Sequence, residues 1–158
     1  MKSISIASVV LSGLFLGANA FAYDVEMAAK IEPIVAKMDQ AALAKGGSKI
    51  APEDVLKMLA EKKDKFTILD IRTKPERDVV GLTLPGALNI SLNDLFKKEN
   101  LDRLPKDGKI LIVCHSGARA AGAAALLGAI GFDNAYYVNG GLISMVTAVT
   151  PKSMPLEK

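Results

Sequence analysis

Apolar residues occur along the chain either in the short runs of buried strands or at the spacing of helices. These two patterns alternate after residue 48. Short apolar runs that end at a charged or turn residue predict buried strands, which we place at 66–71, 87–90, 109–113 and 135–138. Helical patterns lie before, between and after these runs. They cover 52–62, 118–130 and 142–149, and two others begin at residues 73 and 91. This alternation predicts an α/β domain whose parallel sheet is covered by helices on both faces.

Side chains that suit helix ends support these boundaries. Thr73 and Glu76 have the spacing of a capping box. Ser91, followed by Asp94, indicates a second helix start that is capped by a side chain. Gly131 follows the long Ala-rich pattern, where a glycine commonly ends a helix.

The first 22 residues have the pattern of a secretory signal peptide. Lys2 supplies the positive start, an apolar run covers 4–16, and Ala-x-Ala cleavage sites end at Ala20 and Ala22. The run is shorter than the roughly 20 residues that span a bilayer, and no cysteine for a lipid anchor lies near the cleavage sites. We therefore expect a cleaved, periplasmic protein whose mature part contacts no membrane.

Residues 23–47 are predicted to form a helical extension ahead of the main domain. Apolar residues recur at helical spacing from Val25 to Leu43, and a Gly-Gly-Ser run at 46–48 ends the pattern. Pro33 lies inside it, so the helix either kinks or begins there. We expect this helix to pack on the main domain or on a second subunit of a homodimer. The main domain is predicted at 48–146 and a C-terminal tail at 147–158.

The composition excludes several classes of function. The 158 residues include 20 Lys+Arg and 17 Asp+Glu, a net charge of +3, with no concentrated basic face for nucleic acid. The single cysteine, Cys114, cannot form an intramolecular disulfide, a CxxC redox pair or a thiolate-rich zinc site. Because the chain also has only one histidine, we predict neither a metal site nor a cofactor.

The strongest functional signal lies between the strand at 109–113 and the helix from 118. This segment consists of Cys114, His115, Ser116, Gly117, Ala118 and Arg119. Ligands of parallel sheets bind beyond the carboxyl ends of the strands, and a loop that enters a helix directs unpaired backbone N–H groups at one point. Such a loop binds anions and favours the thiolate form of cysteine. We therefore expect a nucleophilic Cys114 in an anion-binding loop.

The charges around this loop favour a negatively charged occupant. No acidic residue occurs between Asp107 and Asp133, and Arg119 lies in the first helical turn, where the helix dipole disfavours a cation. The alternative is that Cys114 is a small apolar residue closing a core strand. His115 is expected to form a wall of the pocket, positive when protonated, rather than a general base, since adjacent loop side chains usually diverge.

Four blocks, in this order, resemble the rhodanese-like sulfurtransferase family over roughly residues 48–146. The blocks are Asp70-Ile71-Arg72 with Pro75-Glu76, residues 84–90, the loop at 114–119, and residues 131–136 with Gly140-Gly141. An exported chain with a helical extension and one such domain is similar to periplasmic polysulfide and thiosulfate sulfurtransferases. The resemblance implies a five-stranded parallel sheet.

The resemblance also implies a ping-pong reaction through a persulfide of Cys114. The thiolate would take sulfane sulfur from a small anion, thiosulfate or polysulfide, and pass it to cyanide or a thiol. The backbone amides from His115 to Arg119 would stabilise the persulfide, and Arg119 would help to bind an anionic donor. Asp70 and Arg72 would support the loop, either as a structural ion pair or through a direct contact with the substrate.

The chain departs from the family pattern at three places. His115 stands where an arginine commonly follows the cysteine, the block at 81–87 is one residue longer and lacks a histidine, and Met145 replaces an aromatic residue. These departures keep the nucleophile and leave both the preference for a donor and the rate of turnover open.

Two other functions use a similar loop. A persulfide carrier would accept sulfur on Cys114 and deliver it to a partner enzyme without turnover. A cysteine phosphatase or arsenate reductase uses a C-x5-R loop, whereas four residues separate Cys114 from Arg119 here. The shorter loop makes a narrower pocket, which suits sulfur better than phosphate.

Overall fold

A computed structural model describes residues 23–36, 48–62 and 64–153. The strands are β1 (Lys49–Ile50), β2 (Phe66–Asp70), β3 (Leu88–Asn89), β4 (Lys109–Val113) and β5 (Ala135–Val138). The helices are α1 (Val25–Val35), α2 (Pro52–Glu61), α3 (Lys74–Val79), α4 (Leu92–Leu95), α5 (Lys98–Leu101), α6 (Ala118–Ala129) and α7 (Gly141–Ala148). The predicted signal peptide, its cleavage sites and positions 37–47 of the predicted extension lie outside the described residues.

The strands form one parallel sheet in the order β1-β5-β4-β2-β3. Strand β4 lies at its centre, and its side chains alternate between two buried clusters. Ile110 and Ile112 belong to one cluster, and Leu111 and Val113 belong to the other. A strand buried on both faces reads as an unbroken apolar run, which is why the bounds of β4 could be predicted from the sequence.

Helices cover both faces of this sheet, as predicted. On one face, α6 contributes Ala120, Ala123, Ala124 and Leu127 to the core that contains Ile110 and Ile112. On the other face, Val55 and Met58 of α2 and Leu142 and Met145 of α7 join Leu111 and Val113. Each fully buried large aliphatic side chain stabilises the fold by about 1.5–3 kcal/mol, so β4 anchors the loop that follows it.

The structure differs from the prediction at β1, α4 and α5, the last of which was not predicted as a separate helix. Strand β1 was not predicted, since two residues with an exposed lysine carry too little apolar pattern. Helix α4 begins after Ser91 as expected, but the prediction that the Ser91 side chain caps it is wrong. The Ser91 hydroxyl instead donates a hydrogen bond of 3.1 Å to the carbonyl oxygen of Arg72.

Helix α1 confirms the helical pattern of the extension over its described part. Asp24 caps its start, with the side chain accepting a hydrogen bond of 2.9 Å from the N–H of Met27. The helix runs through Pro33 rather than beginning there, and none of its residues is buried. Across the described ranges, no helix has both the length and the apolar character needed to cross a membrane.

Candidate active site

The loop after β4 and the chain after β2 lie side by side at one edge of the sheet. Asp70 and Val113 are register partners at the ends of these strands. The N–H of Ile71 donates a hydrogen bond of 2.9 Å to the carbonyl oxygen of Val113. Parallel pairing therefore brings Arg72 and Cys114 to the same end of the sheet, where α/β proteins bind their ligands.

The sulfur of Cys114 is held at the start of this loop. Cys114 is 1% exposed, and its Sγ accepts a hydrogen bond of 3.1 Å from the N–H of Gly117. This donation requires a tight reversal of the chain, and Gly117 supplies it with φ +93°. An N–H directed at sulfur can stabilise negative charge that develops there during a reaction.

Helix α7 fixes the loop from the opposite side. The N–H of Leu142 donates to the carbonyl oxygen of Cys114 (2.9 Å), and the N–H of Ile143 donates to that of His115 (3.2 Å). Gly141 makes this approach possible, since a Cβ there would lie 2.5 Å from the carbonyl oxygen of Cys114. From the sequence, Gly140-Gly141 was part of a family block and no contact with the loop was predicted for it, although paired glycines before an apolar helix were the available signal.

The start of α6 supplies further backbone N–H groups beside the loop. The N–H of Ala121 donates to the carbonyl oxygen of Gly117 at 2.9 Å, the first bond of the helical ladder. The amides of Ala118, Arg119 and Ala120 precede that bond and lie at the positive end of the helix dipole. A negative charge formed at the loop would lie next to this positive end of the helix, which would stabilise it.

Arg119 already has an anionic partner within the protein. The stretch without acidic residues around Cys114 did not predict this partner. The Arg119 guanidinium binds the carboxylate of Glu76 in α3 through two contacts, of 2.9 and 2.6 Å. The same carboxylate accepts hydrogen bonds from the backbone N–H and hydroxyl of Thr73, in the predicted capping box. From the sequence, Glu76 was predicted as a capping residue and belonged to a family block, but the separation of 43 positions between it and Arg119 hides the pair.

The two partners of this pair shift each other's titration. Hydrogen bonds from Arg119, and then from Thr73, hold the pKa of Glu76 far below its ordinary value. Glu76 in turn raises the pKa of Arg119, and Cys114 adds a smaller effect in the same direction. Arg119 is thus charged and lies close enough to Cys114 for an electrostatic interaction. Its charge is already paired with the carboxylate of Glu76.

Asp70 and Arg72 form a buried ion pair beside the loop. Their side chains are 0% and 2% exposed, and the Arg72 Nη2 to Asp70 Oδ2 distance is 2.6 Å. The Nε and backbone N–H of Arg72 also donate to the Asp70 carboxylate. Of the alternatives left open by the sequence, the structure contains the structural ion pair, placed where it supports the edge of the site.

The remaining predicted loop residues differ in exposure from the cysteine. His115, Ser116 and Ala118 are exposed, and His115 lines a cleft of about 550 Å³ between α3 and α7. Within the described part of the chain, no three His, Cys, Asp or Glu side chains are grouped to hold a metal ion. The arrangement can therefore present one buried sulfur, backed by N–H groups, to a ligand at the surface.

A family model and several known proteins match this chain. The model of the Rhodanese-like domain covers residues 51–146. The probable adenylyltransferase/sulfurtransferase MoeZ of Mycobacterium tuberculosis is 31% identical over 113 residues, which cover 72% of this chain and 28% of that protein. Rhodanese-like domain-containing protein 11, chloroplastic, of Arabidopsis thaliana is 37% identical over 59 residues, 37% of this chain and 20% of that protein. The chain thus spans only 28% and 20% of the length of these two curated relatives.

Solved structures show the same fold. A rhodanese-related protein from Thermoplasma volcanium superposes with a TM-score of 0.53 at 27% identity, over 65% of this chain and 94% of that chain. A rhodanese-like domain protein from Staphylococcus aureus superposes with a TM-score of 0.54 at 28% identity, over 62% and 90%. Both matches include nearly the whole of the neighbouring protein, so the similarity extends across an entire domain.

Proposed function

The chain belongs to the rhodanese-like domain family, and from that premise we propose that it is a sulfurtransferase with Cys114 as its nucleophile. The observation that carries the proposal is the 3.1 Å hydrogen bond from the N–H of Gly117 to Cys114 Sγ, at the end of the central strand. A cysteine serving only as core packing has no need of a backbone donor aimed at its sulfur. The curated relative from M. tuberculosis, itself named a probable sulfurtransferase, supports the same class of reaction.

The first half of the reaction loads sulfur onto the enzyme. The Cys114 thiolate attacks the sulfane sulfur of thiosulfate or polysulfide and forms a new S–S bond. The donor's own S–S bond breaks, and the leaving group, sulfite in the case of thiosulfate, departs with the electron pair. The N–H of Gly117, 3.1 Å from Sγ, and the start of α6 stabilise the negative charge of the persulfide.

The second half returns the enzyme to its starting state. A thiophilic acceptor, cyanide or a thiol, attacks the outer sulfur of the Cys114 persulfide. The S–S bond breaks, and Cys114 leaves as a thiolate that keeps the electron pair. Because the N–H of Gly117 stabilises that thiolate, it also makes Cys114 a better leaving group.

Mass spectrometry tests this proposal directly. The mature protein is incubated with thiosulfate or polysulfide, and its intact mass is examined for one added sulfur on Cys114. Cyanide is then added and thiocyanate is measured over many turnovers. A Cys114→Ser variant should gain no sulfur and form no thiocyanate, and a variant that still turned over would contradict the proposal.

A carrier function is the second candidate, and the Arg119 pair favours it. The guanidinium is already bound to Glu76 by contacts of 2.9 and 2.6 Å, which weakens its attraction for a small anionic donor. A carrier would show one added sulfur without repeated thiocyanate formation. The same pair argues against a phosphatase, whose loop arginine must be directed at the phosphate.

Export to the periplasm and homodimer formation stay predictions. N-terminal sequencing of the mature protein would test the export, and analytical sedimentation would test the homodimer.

A further inference from the structure

An aliphatic cleft adjoins the Cys114 loop and has no part in the reaction described above. Its volume is about 550 Å³, and its apolar walls are Val79, Val80, Leu142, Ile143 and Val146. Val79 is 84% exposed and Val146 is 59% exposed. Apolar side chains grouped around an open cleft commonly mark a place where a ligand or partner binds.

The polar groups of the cleft walls are mostly bonded within the protein. Arg72 is paired with Asp70, and Glu76 is paired with Arg119. The hydroxyl of Thr147 donates to the carbonyl oxygen of Ile143 at 2.8 Å. These walls therefore offer a ligand aliphatic surface and charges that are already balanced, which suits an uncharged apolar group.

The size of the cleft indicates a ligand much larger than the small acceptors of sulfur. Sites that hold organic molecules of drug size measure roughly 300–1,000 Å³, and this cleft lies within that range. Cyanide would leave nearly all of it empty. His115 lines the cleft and directly follows Cys114, so a molecule seated there lies beside the sulfur-bearing loop.

We propose that this cleft binds the aliphatic body of an organic thiol, and that this thiol is the acceptor of sulfur from Cys114. The inference rests on the proposed function, because it needs the Cys114 persulfide. The acceptor thiolate attacks the outer sulfur of that persulfide, a bond forms between the two sulfurs, and the Cys114 S–S bond breaks. Cys114 leaves as a thiolate with the electron pair, and the product is an organic persulfide that carries the added sulfur.

A chain-length series measures the contribution of the cleft. The protein is first loaded with sulfur from polysulfide, and loading is verified by intact mass. Transfer is then timed in single turnovers to mercapto-alcohols of two, four and six carbons, with cyanide as a comparison. Burying a methylene group is worth about fourfold in affinity, so we expect the second-order rate to rise about two- to fourfold per carbon. Hexanol, which lacks the thiol, should inhibit transfer to the six-carbon acceptor.

A pair of substitutions tests whether the cleft is responsible. Ile143→Thr with Val146→Thr makes the walls polar; Thr has the size of Val, and the change at position 143 shortens the side chain by one carbon. This double variant should reduce the ratio of the six-carbon to the two-carbon rate by about fivefold or more. Val149→Thr is the matched control, since Val149 is similarly exposed at 51% but does not line the cleft. It should leave the ratio unchanged.

The outcomes separate this inference from the proposed function. Failure of Cys114 to gain sulfur would overturn the proposed function and this inference with it. Normal loading and normal transfer to cyanide, with rates independent of carbon number, would overturn the inference alone. A chain-length dependence that the double variant retained would also overturn it, because the aliphatic contacts would then lie elsewhere.

Discussion

The guanidinium of Arg119 and the carboxylate of Glu76 form a two-contact pair, of 2.9 and 2.6 Å, at the side of the Cys114 loop. Arg119 is the cation that the loop sequence offers to an anionic donor, and Glu76 neutralises it from a different helix. On the proposed function, a residue outside the loop therefore tunes the attraction of Arg119 for an anionic donor.

Removing the charge of Glu76 should strengthen the binding of thiosulfate. Glu76→Gln leaves a hydrogen-bonding side chain but frees the positive charge of Arg119, and two unit charges about 4 Å apart in water attract by about 1 kcal/mol. We expect the KM for thiosulfate to fall about fivefold in a thiocyanate assay. Asp78→Asn is the control, since Asp78 pairs with Lys74 on the same helix and changes the net charge equally. An equal fall in KM for both variants would assign the effect to net charge alone.

The same pair should make stability depend on pH in the acid range. The folded protein holds the pKa of Glu76 below its ordinary value of 4.5, chiefly through Arg119. A lowered pKa contributes stability above the unfolded value, and this stability is lost as the pH falls from 4.5 toward the folded value. The free energy of unfolding of the wild type should therefore exceed that of Glu76→Gln at pH 7, with the difference shrinking below pH 4.5. Urea titrations at several pH values measure it, and a difference independent of pH would contradict the assignment.

The contact between Gly141 and the loop should tolerate no side chain. A Cβ at Gly141 would lie 2.5 Å from the carbonyl oxygen of Cys114 and 2.7 Å from the nitrogen of Gly117. Gly86 also has a positive φ, of +76°, but a Cβ there meets nothing within 4 Å. Gly86→Ala should cost about 1–2 kcal/mol from backbone strain alone, and Gly141→Ala should cost at least about twice that. Urea unfolding compares them, and equal losses would show that crowding at Gly141 is relieved.

Breaking the buried Asp70–Arg72 pair should be costly. Asp70→Ala leaves the guanidinium of Arg72, which is 2% exposed, without its carboxylate, and loss of one buried partner typically costs about 3–5 kcal/mol. Adding Arg72→Met should restore part of this loss, because no isolated charge then remains buried. Asp78→Ala removes an exposed partner of Lys74 and should cost less than about 1 kcal/mol. A double variant as unstable as Asp70→Ala would show that the carboxylate acts through groups other than Arg72.

The sequence was most informative where the pattern is local. The predicted bounds of β4 and β5 match the structure, because each strand is a short apolar run bounded by turn residues. Thr73 and Glu76 form the predicted capping box, since three residues of spacing place them together in any helix that starts there. The position of Cys114 after a central strand follows from the same local pattern.

The sequence was least informative where two distant segments meet. The partner of Arg119 could not be predicted, because Glu76 lies 43 positions away and was explained by its capping role. Ser91 has a typical capping side chain, yet the carbonyl oxygen of Arg72 lies within its reach in the folded chain and takes its hydroxyl. The contacts of α7 with the carbonyl groups of the loop also depend on packing that no single-sequence pattern records.

Helix α7 fixes the path of the loop through backbone hydrogen bonds. The bonds from Leu142 and Ile143 are made to main-chain oxygens of Cys114 and His115, so the path of the loop does not depend on which side chains it carries. His115, Ser116 and Ala118 point outward and are exposed. Substitutions at these three positions can therefore change selectivity while the path of the main chain stays the same.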